Sequence, residues 1–303
     1  MTSSLPSTYI GMGGWQLDPF DGPFYPSNPP KGFRKLEFYS HFFDAVEVNA
    51  TFYNTALNKK NSYQWLNDVS GNKAFLFTVK LFKGFTHSLD ARQEDVVLVH
   101  RLLEPLAAEE KLGGLVMQFP YGFSFDRERR DHLVKLSRAF GSFPLFVEVR
   151  HNSWNTPATM DLLRTHDLHL VNVDLPAMKN HMPLTNVAWG GVTYLRLMGR
   201  NTQSWDSGPN SEKIDGARYH YRYSDEELQH LFKWISEMRS KGIKTFVVFH
   251  NDPQANSLVN GFQLRHLLEP DRKFTAPGNL LLKFPELTPF VMVQKSSGTL
   301  FGS

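Results

Sequence analysis

Three acids and three bases are set apart because each ends a short apolar run in which the residue two positions away is also polar. Glu47 pairs in this way with Asn49, Lys80 with Thr78, Glu148 with Arg150, Asp174 with Asn172, and Arg196 with Tyr194. In an extended strand, residues two apart share a face. Acids and cations gathered around one cavity suit proton transfer and the stabilisation of developing charge. Arg150 and Arg196 suit the clamping of a phosphate or carboxylate, Lys80 serves as cation or base, and Glu47, Glu148 or Asp174 as proton carriers. Gln118 and His250 end two further runs and complete the ring. The chemistry these types favour is acid–base catalysis on a small polar anion, with no metal and no cofactor.

Four other readings compete. The balanced charges could form a compensated network that only plugs the end of a fold, since an unpaired buried charge costs several kcal/mol. A metal-assisted phosphoester hydrolase would use Glu47, Glu148, Asp174 and a histidine as ligands. Their spacing is not diagnostic, and Lys80, Arg150 and Arg196 would compete with the ion. A nucleic-acid-binding barrel would track phosphates with its strand-end cations and stack bases on loop aromatics. A non-catalytic scaffold would keep the residues for stability alone. A Schiff base at Lys80 ranks lower, because neighbouring acids would keep the amine charged.

For these side chains to meet, separate segments must be brought to one place. Runs at Thr8–Met12, Ala45–Asn49, Phe75–Lys80, Leu115–Phe119, Leu145–Arg150, His169–Asp174, Val192–Met198 and Thr245–His250 read as strands. Helical spacing lies between them at Lys35–Phe43, Tyr63–Asp68, Glu94–Glu110, Arg127–Phe140, Thr156–His166 and Asp225–Lys241. Strand and helix alternate with short gaps, the pattern of a parallel α/β fold. A single TIM-type (β/α)8 barrel over 1–270 fits, with catalytic groups at the C-terminal ends of the strands. A dinucleotide-binding sheet does not, because Gly11-Met12-Gly13-Gly14-Trp15 has the wrong spacing and leads into a Pro-rich loop.

The composition agrees with such a fold. The 303 residues are 41% hydrophobic and 21% charged, with a net charge of +3, which demands no polyanionic partner. Without cysteine, thiolate metal sites, disulfides and cysteine nucleophiles are excluded. No apolar run approaches the roughly 20 residues that cross a bilayer, and Met1–Ile10 carries no secretory signature, so the expected location is the cytoplasm. The oligomeric state is not legible.

Two long loops interrupt the alternation, Gly13–Gly32 after the first strand and Arg200–Tyr223 after the seventh. Both are rich in aromatics and read as lids. Residues 271–303 read as a packed C-terminal extension ending in a loose tail. Taken singly, His87 reads as a general acid, a phosphate ligand or merely a loop histidine, and His151 and Trp154 carry the same ambiguity, because Asn152-Ser153 can also begin the next helix as a cap. Phe33, Leu36, Phe42 and Phe43 have the spacing of a buried helix face.

Taken together, the motifs resemble the YecE-like family, also known as domain of unknown function 72. The resemblance rests on Gly11 to Trp15, Gly22-Pro23-Phe24-Tyr25-Pro26, Val46 to Tyr53, Val79-Lys80 with Thr86-His87, and Lys111-Leu112-Gly113. It continues through Gln118-Phe119-Pro120, Val147 to His151 with Ser153-Trp154, Asp174, Tyr194-Leu195-Arg196 with Gly199-Arg200, Tyr223-Ser224, and Phe249 with Asn251. It spans residues 8 to 265 and implies a TIM-type barrel, but no particular reaction. These positions extend the substrate-binding set to Trp15, Asn49, Tyr53, His87, Gln118, His151, Trp154, Arg200 and Asn251. The chain departs from the pattern at Met198, where a histidine is usual, at His250, where an asparagine is usual, and at Gly13 and Ala50, each in place of a serine. The His250 imidazole is expected to fill part of the space vacated at Met198.

Overall fold

The computed structural model describes residues 7–205 and 217–294. Eight parallel strands close into a barrel in chain order: β1 Thr8–Met12, β2 Ala45–Val48, β3 Leu76–Lys80, β4 Leu112–Gln118, β5 Leu145–Glu148, β6 Leu168–Asp174, β7 Val192–Leu197 and β8 Lys244–Phe249. Closure is made by β1 against β8, where Met12 pairs with Phe249, while Met12 also pairs with Val46 of β2. Gly11 permits this, because a Cβ there would fall 2.1 Å from the carbonyl oxygen of Ala45. All eight runs read from the sequence are strands.

The lumen is filled by Tyr9, Ala45, Leu76, Val116, Phe146, Val171, Tyr194, Phe246 and Val248. Tyr194, Phe246 and Tyr9 stack there in sequence, with centroids 5.4–5.9 Å apart. Layers of bulky side chains make the interior a packed core rather than a pore. Only the ends of the strands leave room for polar groups.

Helices surround the barrel, and their ends are capped as the sequence dictates. Asp126 caps Arg127–Phe140, Thr156 caps Pro157–Thr165, and Ser224 with Glu227 forms a capping box on Asp225–Ser240. The helix Asn256–Leu268 was not legible, because it is buried on nearly every side and shows no polar face.

The first long loop is not a lid. Phe20, Phe24 and Tyr25 are fully buried, and Phe24 packs edge-on against Phe38 and Phe42 at 5.5 and 5.2 Å. Its aromatics belong to the main core, which also takes in Phe33, Leu36, Phe42 and Phe43. The second loop is described at its two ends, and residues 206–216 lie outside the described residues. Beyond residue 270, Phe274–Ala276 and Val291–Val293 pair in parallel, and Phe274, Leu280, Leu287 and Val291 join the same core. The tail expected at Ser296–Ser303 falls outside the described residues. Among the described residues, no helix is long and apolar enough to cross a membrane.

Candidate functional site

The site is built on Arg196. Tyr194 and Arg196 take consecutive lumen positions on β7, the first closing the packed interior and the second lying above it. Arg196 is 1% exposed and reaches across the barrel to two fully buried acids. Its Nη2 donates to Glu47 Oε2 on β2, and its Nη1 lies 2.5 Å from Glu148 Oε2 on β5. The Tyr194 hydroxyl donates to the same Glu47 oxygen at 2.6 Å and lies 3.3 Å from Thr78 Oγ1. Arg150, two residues beyond Glu148, donates Nε to Glu148 Oε1 at 2.9 Å.

Burial alone would raise the pKa of Glu47, but Arg196, then His250 and Lys80, outweigh it and hold the carboxyl well below the usual range. For Glu148, too, the burial effect is overcome, here by Arg196, Arg150 and Lys80. In both, neighbouring cations favour the ionised form over what burial alone would allow. Both carboxylates accept from cations, Glu47 from Arg196 and Glu148 from Arg150, with Arg196 in ion-pair range of each.

Lys80 ends β3 on the lumen side. Its ammonium sits 4.2 Å from the centroid of Phe52. Among the described residues no carboxylate comes within salt-bridge range of it, whereas Glu47 and Glu148 are each answered by arginine. Burial and the charge of Arg196 bring its pKa down to about 8, against the pull of Glu47 and Glu148. Beside it, exposed His87 packs edge-on against Phe52 at 4.8 Å. Desolvation, Lys80 and Arg150 bring the pKa of that imidazole down to about 4.

His250 points into the mouth, against Gly13 and Glu47, whereas Met198, whose space it was expected to fill, packs with Val173, Leu175, Trp205 and Tyr219. The histidine Nε2 lies 3.3 Å from Glu47 Oε1, and its ring occupies the space a Cβ on Gly13 would need. Asn49 donates to the Gly13 carbonyl at 2.5 Å, which fixes the backbone beneath that ring. Gln118, buried at the end of β4, donates to the Phe119 carbonyl at 2.7 Å. His151 caps the turn Asn152–Trp154 by accepting the Ser153 amide on Nδ1, and its ring lies 5.4 Å from that of Tyr121. Tyr53 is 72% exposed at the rim, edge-on to Phe52.

Five candidates lie elsewhere. On β6 the lumen positions are Val171 and Val173, so Asp174 faces the helical layer. There it accepts Arg200 Nε at 2.9 and 3.1 Å and the Tyr223 hydroxyl at 2.7 Å. Arg200 also donates to Glu227 at 2.9 Å, tying the strand to the helix that Glu227 caps. Asn251 is fully buried and holds the Tyr221 carbonyl and the Asn260 side chain, both at 2.9 Å. Trp154 is fully buried, lies parallel to Phe123 at 5.5 Å and donates to the Phe123 carbonyl. Trp15 packs edge-on against Trp65 at 5.8 Å within the main core. These are architectural positions. With Asp174 on the outer face, the carboxylate set considered for a metal does not assemble.

The rim also holds residues the sequence reading left out. Phe52 seats Lys80, Tyr194 anchors Glu47, and His181, from the loop after β6, lies 5.2 Å from Tyr121 and 5.7 Å from Trp205. Only Tyr194 carried a signal, through its shared parity with Arg196.

The sequence model described as "Protein of unknown function DUF72" matches residues 9–280. The UPF0759 protein YunF of Bacillus subtilis is 29% identical over 289 residues, covering 90% of this chain and 98% of its own length. A DUF72 family protein of Thermotoga maritima superposes with a TM-score of 0.74 at 29% identity, covering 86% of this chain and 99% of its own. One from Enterococcus faecalis gives 0.75 at 21% identity, covering 86% and 95%. The barrel, the colinear motifs and the extent of the match lead to one conclusion: the chain belongs to the DUF72 family.

Proposed function

We propose that this protein is an enzyme that carries out acid–base chemistry on a small polar anion, phosphate- or carboxylate-bearing, at the C-terminal mouth of its barrel. The observation that carries this reading is Lys80, a cation that among the described residues has no carboxylate within salt-bridge range, beside two carboxylates already bound by arginine. Taken by themselves, Glu47 and Glu148 set against Lys80, Arg150 and Arg196 leave one positive charge in excess on the Lys80–Arg150 side. In a partly dry site that excess favours an anion far more than it would in water.

The residues divide the work. Arg196 spends both terminal nitrogens on Glu47 and Glu148, so it shapes the site rather than clamping a ligand. Among the described residues Arg150 uses only Nε, on Glu148, which leaves its terminal nitrogens for two parallel bonds to an oxyanion. Lys80, with a pKa of about 8, exchanges its proton close to neutral pH, where a general acid or base is most effective. His250, facing the Glu47 carboxylate, is the second proton carrier.

Calorimetric titration with inorganic phosphate and with acetate tests the docking step. One site per chain is expected, weakened at least tenfold in both Arg150→Met and Lys80→Met. No saturable binding by either anion would overturn the reading. A screen of phosphomonoesters and hydroxy or keto acids then tests turnover, and an activity that survives Lys80→Met would remove that residue from the chemistry.

A further inference from the structure

The barrel mouth is lopsided. Its charged floor is covered on one half of the rim by aromatic rings from consecutive strand-end loops: Tyr121 after β4, His151 after β5, His181 after β6, and Trp205 and Tyr219 after β7. Tyr121 is 42% exposed, and the other four rings are partly open to solvent. They form one continuous chain, from His151 through Tyr121, His181 and Trp205 to Tyr219, with centroids 5.2–6.1 Å apart.

Two observations place this chain over the site rather than on the outer wall. Trp205 and Tyr219 pack on Val173, Leu175 and Met198, the uppermost lumen-side residues of the β6–β7 half. The Arg150 guanidinium lies 5.9 Å from the centroid of Trp205 and that of Arg218 lies 5.2 Å from it, so the group proposed to hold an oxyanion stands at the edge of the aromatic wall. Phe123 and Trp154, by contrast, are 3% and 0% exposed. Half-open rings beside a cation supply a flat, low-entropy surface with an electrostatic anchor at its edge.

We propose that the ligand is an anion carried on a planar aromatic ring, its oxyanion held by Arg150 and Lys80 and its ring laid against Trp205 and Tyr121. This rests on the anion site proposed above and adds the class of group that the anion is attached to. A ring of that kind gains contact with the wall that a methyl group in the same position does not.

The test compares ring-bearing and ringless partners of the same charge: phenyl phosphate against methyl phosphate, and benzoate against acetate, each titrated calorimetrically into the full chain. For the anion that binds, the ring-bearing partner is expected to bind about tenfold tighter, in line with the usual worth of stacking. Trp205→Ala and Tyr121→Ala should each narrow that ratio at least threefold, and Trp205→Phe should preserve most of it, which separates loss of the ring from loss of the fold. Equal affinities within each pair would overturn the aromatic wall while leaving the anion site standing. Failure of all four probes to bind would overturn both.

Discussion

The imidazole of His250 stands where a side chain on Gly13 would have to be: a Cβ there would fall 2.3 Å from both Nδ1 and Cε1 of the ring. Positions 13 and 250 thus stand in a spatial exchange: the volume that the glycine leaves open is the volume that the imidazole takes. The result is an imidazole beside Glu47.

Gly13→Ser should therefore destabilise the protein by about 1–3 kcal/mol, the usual cost of overpacking. His250→Asn should relieve most of that loss when the two are combined. Urea midpoints of the two single variants and the double variant give the coupling energy, and strictly additive effects would contradict the exchange.

Arg196→Met should cost about 3–5 kcal/mol, because it strands two buried carboxylates at once. Adding Glu47→Gln and Glu148→Gln should recover a substantial part. If the triple variant is no more stable than Arg196→Met alone, packing rather than stranded charge is responsible.

Lys80 is held at a cost to stability. Its folded pKa of about 8 lies below that of a free lysine near 10.4, so below pH 8 the native state bears the full expense of burying a charge. Lys80→Met should be more stable than the parent by about 1–3 kcal/mol at pH 7. That advantage should shrink as pH rises from 8 to about 10.4, where the parent loses its proton in the native state first. Anion affinity of the parent should fall as pH rises through about 8, and Lys80→Arg should bind with no such dependence.

Asp252 shows the opposite sign. Burial lifts its pKa to about 6, against the pull of His250 and Ser257, with Glu47 adding to the rise. The native state therefore binds its proton more tightly than the unfolded chain, and this residue costs stability progressively from about pH 4 to 6. Asp252→Asn should gain about 1–3 kcal/mol above pH 6 and nothing below pH 4. Chemical denaturation at pH 4 and pH 7 checks it.

The strands were legible because apolar runs ending in polar pairs leave few alternatives, and on β2, β3, β5 and β7 the parity of those pairs matches the lumen. It failed on β6. Both faces of a parallel barrel strand are buried, so a carboxylate can be satisfied on either side. Asp174 found Arg200 and Tyr223 in the outer layer, from segments whose approach is a tertiary event. Trp154 and Trp15 misled for a related reason: an aromatic next to a site motif can serve the chemistry or brace the loop that presents it. The rim aromatics come from four separate loops, and no spacing in the chain announces that they meet.

The single guanidinium shared by β2 and β5 also governs what can move. Dilating the cylinder at that level would part Arg196 from Glu47 or Glu148 in a place water scarcely reaches, at several kcal/mol for each contact broken. The staves are thus cross-braced from within at their upper end. Movement at the mouth falls to the segments above them, and the anion affinity proposed here should respond to changes in the connections after β4 to β7 far more than to changes in the strands.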